Sequence, residues 1–80
     1  LSEVKKISQY INKPLAVVGA SSEMCSDLYL RSYLMRNGGI VLDSNEDRND
    51  YYLSRREGVE KPGFQAVPLG LSFFELLVRK

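Results

Sequence analysis

Histidine is absent from this 80-residue sequence, and its absence excludes several kinds of catalytic and metal site. Without an imidazole the chain has no Ser-His-Asp triad, no Cys-His pair and no HExxH zinc motif. Any catalysis would have to use carboxylate, lysine, serine or tyrosine groups. We therefore expect a protein that is not an enzyme and that uses no cofactor and no metal ion.

Cysteine is almost as scarce. Cys25 is the single thiol, which excludes an internal disulfide and a metal cage built from thiolates. A single reduced thiol fits the cytosol or the nucleus. We predict that Cys25 is a small buried hydrophobe on a helix face.

Long apolar runs and a strong net charge are also missing. No run approaches the roughly 20 residues that a membrane span needs, so no membrane partner is predicted. Eleven basic residues against ten acidic ones leave a net charge of +1, too weak a field to hold nucleic acid by itself. The length allows one small domain, and a chain that begins at Leu1 leads us to expect a piece of a longer protein.

The first half of the sequence predicts a helix, a strand, a helix and a strand. Residues 1–12 have apolar residues at helical spacing, and the segment before Pro14 ends that helix. Residues 15–18 form a short apolar run that is typical of a buried strand. Residues 24–36 are expected to be one helix, with Leu28, Leu34 and Met35 in its apolar stripe. The helix is followed by a left-handed cap at the glycine pair Gly38-Gly39 and by a second strand at 40–42, parallel to the first.

The second half predicts two more strands and a closing helix. Residues 51–53 and 65–67 are the strands, separated by a turn at 61–63. The spacing of Leu71, Phe74, Leu77 and Val78 favours a helix, with Ser72 and Glu75 as a capping box. We therefore expect an α/β protein with a four-stranded, mostly parallel sheet flanked by helices. Residues 1–13 would be a helical extension, and residues 14–80 would form the single small domain.

This layout resembles a BRCT domain. The run 15–19, the helix that ends at Gly38 and Gly39, and the following strand are similar to the first half of that family, and 65–77 looks like its last strand and final helix. Phe74, or Phe73, would replace the large aromatic residue, usually Trp, of the final helix. The family usually has a further helix between its third and fourth strands. Only Ser54–Phe64 is available for it here, so that helix is expected to be short or missing.

The resemblance implies a non-catalytic protein–protein interaction module from a nuclear protein of DNA repair, replication, checkpoint or telomere maintenance. Many such modules bind phosphorylated peptides. They use a hydroxyl at the end of the first strand, the following glycine and a lysine. In this sequence the corresponding residues are Gly19, Ser21, Ser22 and Lys61, and Val18 occupies the position where the family has its hydroxyl.

Several alternatives remain open at this stage. Arg55, Arg56 and Tyr51 are candidates for contact with a partner or a nucleic acid, since arginine pairs with phosphate and tyrosine stacks on bases. The turn at 19–22 is also compatible with an anion site in a fragment of a phosphate-handling enzyme. The acidic residues of 43–50 lack the spacing of a calcium loop. A tandem, dimeric or single arrangement is left undecided. The basic residues that a DNA-contacting module would use are Lys5, Lys6, Arg55, Arg56, Arg79 and Lys80.

Overall fold

The computed structural model describes residues 3–55 and 61–80, which form a small α/β domain. Within those residues the chain forms helices and strands that are joined by short loops. They are α1 (Glu3–Ile11), β1 (Ala16–Gly19), α2 (Ser22–Ser26), α3 (Leu28–Gly38), β2 (Ile40–Asp43), a 3-10 turn (Glu46–Arg48), β3 (Tyr51–Arg55), β4 (Phe64–Ala66) and β5 (Phe74–Arg79). None of the helices in the described part is long and apolar enough to cross a bilayer.

The described strands form one five-stranded sheet in the order β2-β1-β3-β5-β4. The prediction that the first two strands run parallel is confirmed, with Ala16 opposite Ile40. β3 also runs parallel to β1, whereas β5 is antiparallel to both β3 and β4. The prediction of four mostly parallel strands is therefore wrong in detail: the sheet is mixed, with a parallel half and an antiparallel half.

The predicted closing helix is wrong, because its residues form strand β5. Leu76 and Leu77 are both buried, and they belong to different apolar clusters. In a strand, consecutive side chains point to opposite faces, so a strand buried on both faces can bury two neighbouring leucines. Ser72 and Glu75 form no capping box, and Phe74 is the first residue of a strand rather than the large aromatic of a helix.

The helix predicted over 24–36 is present but divided at Asp27. Asp27 is in an extended conformation, and its carboxylate accepts a hydrogen bond from Leu30 N at 3.0 Å, which caps α3. The apolar stripe predicted for this helix is confirmed at Leu34 and wrong at Leu28 and Met35. Leu34 is fully buried, whereas Leu28 is 69% exposed and Met35 is 45% exposed.

The main core lies between the helices and one face of the sheet. Alternate residues of β1 and β2 point into it, and α1 contributes three buried side chains to the same cluster. The helix at the N-terminus is thus part of the core. On the other face of the sheet, Tyr52, Phe64 and Leu77 form a smaller cluster. The main cluster comprises Val4, Ile7, Ile11, Ala16, Val18, Ala20, Met24, Leu34, Ile40, Leu42, Leu53, Leu71 and Leu76.

The glycine pair joins α3 to β2 as predicted. Gly39 has φ +63°, and its N–H donates to Met35 O at 2.9 Å, which closes the helix. Gly38 is the last helical residue, and a Cβ at this position would lie 2.6 Å from Val4 Cγ1. The pair therefore allows α1 to pack closely against α3 while the chain turns directly into β2.

Candidate functional site

The carboxyl end of β1 brings together two of the residues that the sequence suggested as a phosphate site. A Cβ on Gly19 would lie 3.3 Å from Tyr51 O and 3.4 Å from Glu46 Cα. The Lys61 ammonium forms an ion pair with Glu46 and lies 4.7 Å from the centre of the Tyr52 ring. We call these four residues, Gly19, Glu46, Tyr52 and Lys61, the strand-end cluster. Lys61 is thus close to the end of β1, but its charge is already paired with a carboxylate.

Tyr52 is the buried aromatic residue of this cluster. Burial and the negative charge of Glu46 raise the pKa of its hydroxyl, and the Lys61 ammonium partly offsets that effect. Lys61 also lies 5.5 Å from the centre of the Phe64 ring, so two aromatic faces and one carboxylate surround its charge. Lys61 therefore connects Tyr52 of β3 and Phe64 of β4 with Glu46 of the 3-10 turn that follows β2.

Of the two serines in the turn, Ser21 caps the short helix α2, and Ser22 is the first residue of that helix. Ser21 Oγ accepts a hydrogen bond from Met24 N at 3.2 Å, the usual role of a serine before a helix. Ser22 is exposed, and its backbone carbonyl accepts a hydrogen bond from Ser26 Oγ at 2.8 Å. The Ser21 hydroxyl therefore has an intramolecular role in the five-residue helix α2.

Arg55 pairs with Asp27 at 3.4 Å, which connects the end of β3 to the start of α3. The Arg55 side chain is 49% exposed, so the pair is accessible to water and salt. Arg56, predicted as a partner contact, lies outside the described residues. Tyr51 is half-buried, and its ring packs edge-to-face against Tyr10 with centroids 6.4 Å apart. Tyr51 thus packs within the domain, against a helix.

The loop after β2 is organised around the Asp43 carboxylate. It accepts hydrogen bonds from Asn45 N, Asn49 Nδ2 and Arg48, which together hold the pKa of Asp43 at about 2. Within residues 3–55 and 61–80, no group of three or more acidic or thiol side chains is placed to hold a metal ion. The Asp43 carboxylate therefore serves to shape this loop.

The basic residues suggested for DNA contact differ in their surroundings. Arg79 donates to Asn49 O at 2.7 Å and to Asp47 O at 3.2 Å, and its guanidinium lies 4.7 Å from the centre of the Phe64 ring. Lys5 and Lys6 lie exposed on α1. Arg55 and Arg79 are thus held by intramolecular contacts, and neither presents a free guanidinium.

Cys25 is half-buried rather than fully buried. Its thiol lies 3.8 Å from Ala20 O, and burial raises the pKa of the thiol. The positive charge of Arg31 lowers the pKa of the thiol, and the carboxylates of Asp43 and Glu46, each with a smaller effect, raise it. The raised pKa keeps the thiol protonated, so Cys25 is a poor nucleophile.

A second site, which the sequence did not reveal, is a groove between α3 and β2. It has a volume of about 570 Å³. The helix contributes residues at positions i, i+3, i+4, i+7 and i+8, which form one stripe along the helix surface. We call it the α3–β2 groove; its lining consists of Leu28, Arg31, Ser32, Met35, Arg36, Ile40, Val41 and Leu42.

The groove differs from the strand-end cluster in its electrostatics. Arg31 and Arg36 are both exposed, and neither forms an ion pair with a carboxylate of residues 3–55 or 61–80. The apolar side chains of the same helix stripe are also accessible, since Leu28 and Met35 are each at least 45% exposed. The groove therefore offers positive charge and apolar surface that the described chain itself does not use.

Comparison with known proteins does not identify a relative. No family model matches the chain, and no curated protein or solved structure matches it. The resemblance to BRCT domains stays a prediction that rests on the layout of β1, α3 and β2 and on the glycine pair, since the segment expected as its final helix is strand β5. The geometry of the two sites is the remaining basis for assigning a function.

Proposed function

We propose that this domain is a non-catalytic protein–protein interaction module and that α3 carries its main contact surface. The supporting observation is the exposure of large apolar side chains on this one helix. Tyr29 is 92% exposed and Tyr33 is 46% exposed, in addition to the exposed Leu28 and Met35 of the groove. Exposed large apolar side chains concentrated on one helix of a small domain are typical of a site for another protein.

The charge distribution supports the same site. Arginine and aromatic residues are enriched at protein interfaces because they provide a large contact area together with hydrogen bonds. α3 combines Arg31 and Arg36 with two tyrosines on its exposed surface. The resemblance of the first half of the sequence to BRCT domains favours a parent protein that works in nuclear chromosome maintenance, and this part of the proposal depends on that resemblance alone.

Phosphopeptide recognition through Gly19, Ser21, Ser22 and Lys61 stays a prediction. Binding of a phosphate there requires Lys61 to leave Glu46 and requires Ser21 to keep its cap or exchange it for the ligand. DNA contact also stays a prediction, with a simple signature: its affinity would fall steeply as salt rises. The groove needs no such rearrangement, and we therefore place the main contact surface there.

The proposal is tested by titrating the chain with matched pools of phosphorylated and unphosphorylated peptides and following the binding by fluorescence anisotropy. We expect binding of both pools, weakened by Tyr29→Ala and Met35→Ala and unchanged by Ser21→Ala and Lys61→Ala. Binding of the phosphorylated pool alone, lost in Lys61→Ala, would move the contact surface to the strand-end cluster. Binding of neither pool would contradict an interaction module of this type.

A further inference from the structure

The groove side of α3 carries an apolar line with one arginine on either side of it. Leu28 and Met35 form this line, about two helical turns apart, and both side chains are exposed. At about 100° per residue around the helix axis, Arg31 falls on one side of the line and Arg36 on the other. Both arginines are exposed, and neither forms an ion pair with a carboxylate of residues 3–55 or 61–80. An apolar centre with a polar rim is the usual arrangement of a protein interface.

The strand wall of the groove determines the conformation of the occupant. β2 is an edge strand of the sheet, but Ile40 and Leu42 are only 1% and 8% exposed as whole residues. A segment that enters the groove therefore finds little accessible backbone on these two residues with which to pair. Backbone groups that leave water need hydrogen-bond partners, so the segment has to satisfy its own. An α-helix does this internally, whereas an extended segment does not.

The charge of α3 determines which helix fits. No acidic residue lies within Leu28–Gly38, so two copies of the chain packed α3 against α3 would bring their arginines together without carboxylates. The occupant must therefore supply acidic side chains, since a carboxylate is the ion that a guanidinium pairs with best. A recess between a helix and a strand also receives a rounded helix better than it receives a flat bilayer surface. These observations favour an acidic helix from a different protein.

We propose that the α3–β2 groove binds an acidic amphipathic helix of a partner protein. The inference rests on the proposed function and adds the conformation and the charge of the partner. Apolar side chains of the partner helix, repeated at helical spacing, pack on Leu28 and Met35, as in other cases of a helix bound in a groove. Asp or Glu residues on both sides of that apolar stripe pair with Arg31 and Arg36. The two arginines also attract the acidic helix and favour its encounter with the groove.

The test begins with selection of random hexadecapeptides displayed on phage against the immobilised 80-residue chain. We expect enriched sequences with apolar residues at helical spacing and with Asp or Glu beside them. The best peptide, made synthetically, should bind Arg31→Glu and Arg36→Glu each about fivefold more weakly or worse, because each variant loses an ion pair and gains a repulsion. Lys13→Glu changes an exposed charge outside the groove lining, and this matched control should bind normally.

A charge exchange places the contact in the groove. A form of the peptide in which Lys replaces its acidic residues should bind the unchanged chain weakly and should bind Arg31→Glu and Arg36→Glu more tightly than it binds the unchanged chain. Lys13→Glu should give no such recovery. Recovery in the Lys13 variant alone would place the acidic residues of the peptide elsewhere on the surface and would overturn the inference.

The conformation of the bound peptide is tested separately. Circular dichroism should show a gain of helical signal when the peptide binds the chain. Proline at a central position on the polar side of the peptide should weaken binding about a hundredfold, because it removes a helical hydrogen bond and clashes with the preceding turn. Alanine at the same position is the control and should bind normally. A peptide that tolerates the proline and gains no helical signal binds in an extended form, which would overturn the inference.

The remaining outcomes separate this inference from the proposed function. Selected peptides that lack acidic residues, or that bind both arginine variants normally, would overturn the acidic helix while supporting an interaction module. A selection that enriches no peptide above an unrelated control protein would overturn both. If no peptide is enriched and the chain instead binds vesicles that contain phosphatidylserine, with weaker binding in both arginine variants, the groove faces an anionic bilayer and both proposals are wrong.

Discussion

The strand-end cluster and the α3–β2 groove both contain basic residues, but they differ in what those residues contact. Lys61 is paired with Glu46 and packed against two rings, and nearby Arg55 is paired with Asp27. Arg31 and Arg36 have no such partner among the described residues. A basic residue near a strand end is therefore not by itself a ligand site, because its charge can pair with a carboxylate of another segment of the chain.

Residues that contact only other parts of the domain should affect stability when changed, whereas residues of the groove should affect binding. The clearest contrast lies within α3, where Leu34 faces the core and the adjacent Met35 faces the groove. Leu34→Ala should lower the free energy of unfolding by about 3 kcal/mol, since it leaves a cavity in the core. Met35→Ala should change it by less than about 0.5 kcal/mol. Urea unfolding of both variants checks this, and equal losses would show that the exposed face of α3 is packed.

The glycine that joins the two walls of the groove gives the next largest effect. Gly39→Ala should lower the free energy of unfolding by about 2 kcal/mol, because φ is +63° and the new Cβ would lie 2.8 Å from Pro14 O. Gly63→Ala is the control, since its φ is +82° but nothing lies within 4 Å of the Cβ position. Gly63→Ala should lower the free energy of unfolding by about 1 kcal/mol, from backbone strain alone. Thermal unfolding would measure both, and a Gly39 variant no worse than the control would argue against the tight turn into β2.

Substitution of Asp27 shows whether its ion pair with Arg55, at the end of β3, stabilises the fold. Asp27→Ala removes the cap of α3 and the partner of Arg55, and should lower the free energy of unfolding by about 1 kcal/mol. Asp47→Ala, at an exposed acidic residue of the 3-10 turn, is the control and should have little effect. Urea unfolding would measure the loss of stability in both variants. If the two variants lose the same stability, Asp27 has no special role at the junction.

Acid titration tests the loop that follows β2. The pKa of Asp43 is about 2, below its ordinary value of 3.8, because Asn45 N, Asn49 and Arg48 stabilise the ionised form. Its contribution to stability is therefore fully present above pH 3.8 and is lost as the pH falls towards 2. The stability difference between the unchanged chain and Asp43→Asn, measured by chemical unfolding from pH 5 to pH 2, should shrink in that window. A difference that stays constant across it would contradict the role given to the carboxylate.

The smallest effect on stability is expected in the groove. Arg31→Glu and Arg36→Glu should each change the free energy of unfolding by less than about 0.5 kcal/mol, because both side chains are exposed and unpaired within the described chain. Calorimetry would measure this directly. A loss of 1 kcal/mol or more would mean that these arginines hold the fold together, as Arg55 and Asp27 do.

The parallel half of the fold could be predicted from the sequence because its signals are local. Residues 15–18 and 40–42 are short apolar runs, and the glycine pair between them marks the end of the helix. The antiparallel half could not, because Leu76 and Leu77 have the spacing of either a helix face or a doubly buried strand. Only the pairing of β5 with both β3 and β4 decides between them.

The groove was missed for a related reason. Leu28 and Met35 recur at a seven-residue spacing, which favours a core stripe, but the core lies on the side of Leu34. Which strand is at the edge of the sheet depends on long-range pairing, so no local pattern reveals that β2 is the edge strand. Sequence spacing likewise cannot show that Lys61 has a carboxylate partner in Glu46.

The most direct test is an amide chemical-shift map of the 15N-labelled chain during titration with the pooled unphosphorylated peptides. We expect shifts along α3, from Leu28 to Arg36, and in β2, with none at Ser21, Ser22 or Lys61. Shifts confined to residues 19–22 and Lys61, with α3 and β2 unchanged, would contradict this expectation.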